Sequence, residues 1–154
     1  MDLTVDVGEY KLNIRVAAII EHDNRILFHK IPKKEHYGII GGRVKIGEDT
    51  ISAIKREIYE ELGKKIIVKN LYSVCENFFI VNNIKYHEIL FIYKVEFENE
   101  SDRAIIDRLY CIEEGKDLYY EWLSREDMKN NIIKPKLFID TFLSGNDVSH
   151  LIQK

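Results

Sequence analysis

The stretch GRVKIGEDTISAIKREIYEELGK, Gly42–Lys64, is the most informative part of this sequence for predicting the fold. Within it, Thr50–Leu62 predicts an α-helix, because Asp49 or Thr50 can cap the first turn and Gly63 suits the left-handed residue that ends a helix. Apolar side chains recur there at three- and four-residue steps. They predict one stripe for burial against a core, made of Ile51, Ile54, Ile58 and Leu62.

Three carboxylates of this helix, Glu57, Glu60 and Glu61, share one face, because residues three and four positions apart are neighbours on a helix. Glu57 and Glu61 are like charges at i and i+4, and they lie in the C-terminal half, where the helix dipole disfavours anions. One interpretation is an ordinary solvated acidic face. The other is that a hard divalent cation offsets the repulsion.

The spacing around these acids resembles the signature of the Nudix hydrolase family, G-x5-E-x7-R-E-U-x-E-E-x-G-U, in which U is aliphatic. All seven fixed positions match, namely Gly42, Glu48, Arg56, Glu57, Glu60, Glu61 and Gly63. A chance match of seven such letters is on the order of one in a million. Ile58 fills the first aliphatic position, but Lys64 stands at the last, and Ile40 precedes the glycines where proline is common in the family.

The fold class expected from the order of elements is α+β, because strands and helices alternate without a regular βαβ repeat. The resemblance specifies a Nudix-like α/β/α sandwich around a mixed β-sheet. We expect one domain over residues 1–154, with residues 1–9 and 144–154 loosely ordered and a long loop at Ile31–Asp49. The expected strands are Arg15–Ile20, Arg25–Lys30, Ile66–Phe97 with a hairpin turn at Asn82-Asn83, and Leu118–Leu123, and the expected later helices are Arg125–Asn130 and Pro135–Leu143.

The resemblance also implies an activity and a set of site residues. Family members hydrolyse a nucleoside diphosphate linked to another moiety, by attack of water on phosphorus, with Mg²⁺ and in some cases Mn²⁺. By position, the metal ligands would be Glu57, Glu60, Glu61 and the backbone carbonyl of Gly41. Arg56 and Glu48 would hold the loop and orient the acids, although Arg56 could instead be no more than an exposed partner of Glu60.

The general base remains open, because family members take it from the signature itself or from an acid outside it. We favour Glu88, since His87-Glu88 interrupts a strand in which Ile89–Tyr93 are all apolar. The alternative is that Glu88 is a solvated carboxylate at a strand end. Further acids lie in expected loops: Glu98, Glu100, Glu113 and Glu114.

Composition narrows the classes of partner. The 154 residues carry a formal net charge of −3, which argues against binding to DNA or an anionic membrane through bulk charge. No run of about 18 apolar residues predicts a membrane span, and two cysteines do not make a disulfide framework. We therefore expect a reduced, cytoplasmic protein. The resemblance implies a small-molecule partner, a nucleoside diphosphate derivative, and favours a homodimer.

Three functions stay open on this basis. The first is the Mg²⁺-dependent pyrophosphohydrolase described above. The second is a housecleaning nucleoside triphosphate pyrophosphatase that releases pyrophosphate. The third is a non-catalytic nucleotide sensor, against which the intact set of acids argues, because a sensor has no need of all of them.

Overall fold

A mixed sheet of ten strands organises the chain, whose computed structural model describes residues 1–154. The strands are β1 (Thr4–Val7), β2 (Tyr10–His22), β3 (Arg25–Lys30), β4 (Tyr37–Arg43), β5 (Ile66–Val81), β6 (Ile84–Phe97), β7 (Leu109–Tyr110), β8 (Tyr119–Ser124), β9 (Ile133–Lys134) and β10 (His150–Gln153). The helices are α1 (Thr50–Leu62), α2 (Glu100–Arg103), α3 (Arg125–Asn130) and α4 (Lys136–Ser144). The strand order is β10-β5-β6-β2-β4-β3-β8-β7, with β1 added on β2 and β9 on β4.

Local sequence signals fix several boundaries as predicted. Helix α1 begins after Asp49, whose carboxylate accepts a hydrogen bond from the Ser52 amide at 2.8 Å, and it ends at Gly63 with φ +67°. The β5–β6 hairpin turns at Asn82 and Asn83, both with positive φ. Two consecutive left-handed residues match the right-handed twist of the flanking strands, which explains why asparagine suits both positions.

Helices cover both faces of the sheet, so the predicted α+β sandwich around a mixed sheet is confirmed. Helix α1 packs on one face, and α3 and α4 pack on the other. Strand β6 contributes to both cores by alternation, since Tyr93, Val95 and Phe97 face α1 whereas Leu90 and Ile92 face α4. The parallel pairing of β2 with β6 makes the sheet mixed.

Part of the expected loop Ile31–Asp49 is a strand. Tyr37–Arg43 forms β4, which pairs antiparallel with β2 and β3. Its glycines serve close packing and not turns: a Cβ on Gly41 would overlap the backbone of Val16 in β2. The prediction was wrong there because a glycine-rich composition is typical of loops and conceals strand pairing.

Both chain ends contain paired strands. Strand β1 pairs antiparallel with β2, and β10 pairs parallel with β5, where Leu151 lies opposite Cys75 and is buried. Backbone hydrogen bonds to distant strands hold these segments, and neither composition nor periodicity reveals such partners. The short strands β7 and β9 were missed for the same reason, and the four-residue helix α2 was missed as well.

The buried stripe of α1 is shorter than predicted. Ile54 and Ile58 are fully buried and Leu62 nearly so, but Ile51 is 44% exposed. Ile51 lines a cleft of about 550 Å³ between α1 and β5 instead of the core. None of the helices combines the length and the apolar character that crossing a bilayer requires.

Replacing Ile54 with alanine should therefore destabilise the fold, whereas the same change at Ile51 should not. We expect Ile54→Ala to lower the free energy of unfolding by about 2–5 kcal/mol, because it leaves a cavity beneath α1. Ile51→Ala is the matched control and should stay within about 0.5 kcal/mol of the unmodified protein. Urea unfolding measures both, and equal effects would show that the helix is rotated differently.

His29 in β3 should make stability depend on pH. Its ring lies against Gly38 of β4, and burial, aided by the charge of Arg15, lowers the pKa of His29 to about 4. The unfolded chain then binds more protons than the native state between that value and the ordinary pKa near 6.5, so stability falls as the pH drops through this window. The loss should approach about 3 kcal/mol at its lower end.

His29→Phe is the variant that tests this dependence, because phenylalanine keeps an aromatic ring but cannot be protonated. Urea unfolding between pH 7.5 and 4.5 should show a shallower decline in stability for this variant. A decline as steep as that of the unmodified protein would assign the effect to other groups.

Candidate active site

Arg56 of α1 is the centre of a network of charged side chains. Its Nε and Nη2 donate to the two carboxylate oxygens of Glu48 at 2.7 and 2.8 Å, and Nη2 also donates to the carbonyl of Arg43 at 3.0 Å. Its Nη1 donates to Glu57 at 2.7 Å and to Glu60 at 3.2 Å. These bonds use all five N–H groups of the guanidinium. Arg56 is therefore far more than an exposed partner of Glu60.

Glu48 connects this arginine to the loop that precedes α1. Besides accepting both bonds from Arg56, its carboxylate accepts the backbone N–H of Lys45 at 3.0 Å. The bonds from Arg56 are the main reason that the pKa of Glu48 lies below its usual value. The Arg56–Glu48 pair thus fixes the loop from β4 against the helix, as the resemblance implies.

Glu57 lies on the inner side of α1 and is only 7% exposed. Its carboxylate packs directly on the backbone of Gly42, where a Cβ would overlap it. Burial raises the pKa of Glu57, and the hydrogen bond from Arg56 opposes that rise. Glycine at position 42 is therefore required for this close approach of the Glu57 carboxylate.

Glu61 is equally buried but faces the loop between β7 and β8. Tyr120 donates from its hydroxyl to Oε2 at 2.6 Å, and Lys116 donates from Nζ to Oε1 at 3.0 Å. Burial, reinforced by the charge of Glu61, raises the pKa of the Tyr120 hydroxyl. Sequence reasoning missed both partners. No spacing rule could find them, since they lie more than fifty residues along the chain and meet Glu61 only in the fold.

Glu60 occupies the solvent side of the same helix, and its side chain is 38% exposed. Its Oε2 accepts from Arg56, and the ammonium of Lys45 lies 4.0 Å from its other oxygen. Glu57 and Glu60 therefore share one arginine nitrogen, whereas Glu61 is held by groups outside the helix.

Glu88 is not brought together with these acids. It lies on the α4 face of the sheet, two residues before the buried Leu90, whereas Glu57 lies under α1 on the opposite face. Glu88 is 4% exposed, and its carboxylate accepts from Asn13 at 2.9 Å and from Asn77 at 3.4 Å. The structure thus supports neither a solvated strand end nor a base beside the helix acids. One of the alternative loop acids lies nearer, since the Glu113 carboxylate is 2.6 Å from the Lys116 ammonium.

The predicted metal ligands do not form one cluster in this structure. Carboxylate and carbonyl oxygens are the donors that Mg²⁺ prefers. Glu57 and Glu60 share one nitrogen of Arg56, and Gly42 lies against the Glu57 carboxylate. No three carboxylate, imidazole or thiolate groups stand close enough together to hold an ion as they are. The two carboxylate oxygens of Glu61 are bound to Lys116 and Tyr120. The donor types therefore fit the ion, and the arrangement fits if Glu61 is released.

The fold is an α+β sandwich in which an acidic helix is braced on a glycine-rich strand, and these two features point to one family of proteins. A family model described as the NUDIX domain matches residues 11–141. The chain belongs to the Nudix hydrolase family, whose members generally use divalent metal ions. Comparison with curated protein sequences found no match.

Solved structures show the same fold. The ORF135 protein of E. coli is 23% identical with a TM-score of 0.61, over 91% of this chain and 94% of that one. A MutT protein from Bacillus halodurans is 19% identical with a TM-score of 0.65, over 90% and 86%. A UDP-X diphosphatase is 16% identical with a TM-score of 0.60, over 90% and 66%. At these identities the likeness is one of fold.

Arg56→Lys should weaken the fold although it keeps the charge. Lysine cannot bind both oxygens of Glu48 and still reach Glu57, Glu60 and the Arg43 carbonyl, so we expect the free energy of unfolding to fall by about 2 kcal/mol or more. The control is Lys136→Ala, which removes the exposed i, i+4 pair with Asp140 and should change little. Urea unfolding compares the two. Equal stability of Arg56→Lys and the unmodified protein would contradict the bracing role.

Proposed function

We propose that this protein is a divalent-metal-dependent pyrophosphohydrolase that cleaves a nucleoside diphosphate linked to another moiety by attack of water on phosphorus. The observation that carries the proposal is the Arg56 network, in which one arginine nitrogen holds Glu57 and Glu60 and the Glu57 carboxylate lies against Gly42. A braced set of oxygen donors is what a polyanionic substrate and its cation require. Membership of the Nudix family supports the same reaction class.

Mg²⁺, with Mn²⁺ as a substitute, would be held by Glu57, Glu60, Glu61 and the carbonyl of Gly41. When bound, the ion neutralises phosphate oxygens and acidifies water. The chain's own groups prepare the ligands for it. Arg56 orients two carboxylates, Glu48 holds Arg56, and the Tyr120 hydroxyl fixes the direction of Glu61. Side chains that are locked by such bonds lose little freedom when the ion binds.

The general base in this proposal is not Glu88, because that carboxylate lies on the other face of the sheet. Glu57 is one candidate within the signature. Glu113 is the candidate outside it, and its proximity to Lys116, which contacts Glu61, favours it over the other loop acids. A base must reach the attacking water, and only groups on the acidic side of α1 meet that requirement.

The substrate class in this proposal is a small nucleotide derivative. A UDP-X diphosphatase shares the fold, so nucleotide sugars belong in a substrate panel together with ADP-ribose, NADH, a dinucleoside polyphosphate and nucleoside triphosphates. The proposal includes a cytoplasmic location, expected from composition, and a homodimer, expected from the family resemblance.

Glu57→Gln should reduce hydrolysis of the responsive substrate by roughly 100-fold or more while the protein stays folded. The substitution removes a ligand charge but also a like-charge contact with Glu61, so stability should hold or rise slightly. Product chromatography with Mg²⁺, with chelator and with this variant measures the effect. Glu126→Gln, on the exposed side of α3, is the matched control and should be fully active.

The products distinguish the functions that the sequence leaves open. Two phosphorylated products from a linked diphosphate support the proposal, and pyrophosphate from a nucleoside triphosphate would identify the triphosphatase. Normal activity of folded Glu57→Gln would contradict the site assignment. Tight nucleotide binding without turnover would identify the sensor.

A further inference from the structure

The loop between β7 and β8 lies across the C-terminal end of α1. Its Ile112 amide donates to the backbone carbonyl of Glu61 at 2.8 Å, which anchors the loop to the last turn of the helix. From this loop Lys116 reaches the Glu61 carboxylate at 3.0 Å and the Glu113 carboxylate at 2.6 Å. The ammonium is therefore shared between one acid of the signature and one acid of the loop.

The two partners of Glu61 differ in kind. Tyr120 is fully buried in the core under α1. Its neutral hydroxyl can keep donating to Oε2 of Glu61 while another lone pair of that carboxylate oxygen binds a second group. Lys116 carries a full positive charge on a flexible stem, and its side chain is 37% exposed. A divalent cation on Glu61 would face this ammonium at short range, and the two charges repel.

We propose that Lys116 is an internal counter-cation that sets the metal affinity of the site: it neutralises Glu61 in the metal-free protein and leaves that carboxylate when a divalent ion binds there. This inference rests on the proposed function, in which Glu61 is a metal ligand. It accounts for the one predicted carboxylate ligand that is neutralised from outside the helix, since Glu61 binds Lys116 whereas Glu57 and Glu60 share Arg56.

Glu113 can pair with the Lys116 ammonium after that ammonium leaves Glu61. Because Lys116 already contacts Glu113, it can release Glu61 and keep an ion pair without crossing open solvent. The exposed side chain and the neighbouring Gly115, with φ +81°, belong to a turn at the surface and not to the core. Glu113 therefore acts through Lys116, as a positioning residue that favours release of Glu61.

The two residues should then have opposite effects on metal affinity. Lys116→Met removes the competitor, so Mn²⁺ and Mg²⁺ should bind more tightly, by roughly 5- to 150-fold, the usual range for coupling between two ligands. Glu113→Gln leaves Lys116 with Glu61 as its only anionic partner, so metal should bind more weakly. Calorimetry with Mg²⁺ and electron paramagnetic resonance with Mn²⁺ measure both affinities without substrate.

Lys64→Met is the matched control for the loss of a lysine near the end of α1. Lys64 pairs with Asp102 and does not contact the acids of the signature, so its loss should leave metal affinity unchanged. Unchanged or weaker binding by Lys116→Met, with the control normal, would overturn the inference. A metal affinity that rises equally in both lysine variants would assign the effect to general charge and would also overturn it.

A second measurement uses the unmodified protein and does not depend on a variant that folds. Acetylation of individual lysines, followed by mass spectrometry, should increase at Lys116 when Mg²⁺ is added, because the ammonium leaves Glu61. Lys136, which is 80% exposed, should react equally in both conditions. No change at Lys116 under saturating Mg²⁺ would contradict release.

The failure of this inference is distinguishable from the failure of the proposed function. If Glu57→Gln abolishes metal binding and Lys116→Met has no effect, the metal site is supported. Only the proposed role of Lys116 is then overturned. If the unmodified protein binds neither Mg²⁺ nor Mn²⁺, both the inference and the metal-dependent function are overturned.

Discussion

One guanidinium, that of Arg56, joins the strand, the loop and the helix of the candidate active site. Its five N–H groups reach the loop through Glu48, the end of β4 through the Arg43 carbonyl, and the helix acids Glu57 and Glu60. Only arginine offers so many donors in a rigid plane. The acids can therefore occupy positions that a helix would otherwise disfavour, because a fixed positive charge lies among them.

Burial of two like-charged carboxylates on one helix shapes the rest of the site. Glu57 and Glu61 are each less than 10% exposed, and the desolvation of each is offset by a cation from elsewhere: Arg56 for the first and Lys116 for the second. These two cations differ in how firmly they are held. Arg56 is held by five bonds and stays in place, whereas Lys116 is partly exposed on a surface turn and is free to exchange partners.

The prediction from sequence succeeded where structure depends on near neighbours. The bounds of α1, its caps at Asp49 and Gly63 and the asparagine turn of the long hairpin were predicted correctly, because each rests on residues within a few positions. The clustering of Glu48, Arg56 and Glu57 could also be anticipated, since two of the three share a helix and the third precedes it. Strand β4 could not, because its glycines face another strand that the composition does not reveal.

The sequence by itself determined the acidic helix, the glycine-rich segment before it and hence the family. Only the tertiary structure decided which groups meet these acids. It separated Glu88 from them, because a residue's face in a sheet depends on strand pairing. It joined Tyr120 of β8 and Lys116 of the preceding loop to Glu61, because both segments dock against the helix. The physical reason is range: capping and helical spacing act over a few residues, whereas burial and ion pairing depend on which segments the folded chain brings together.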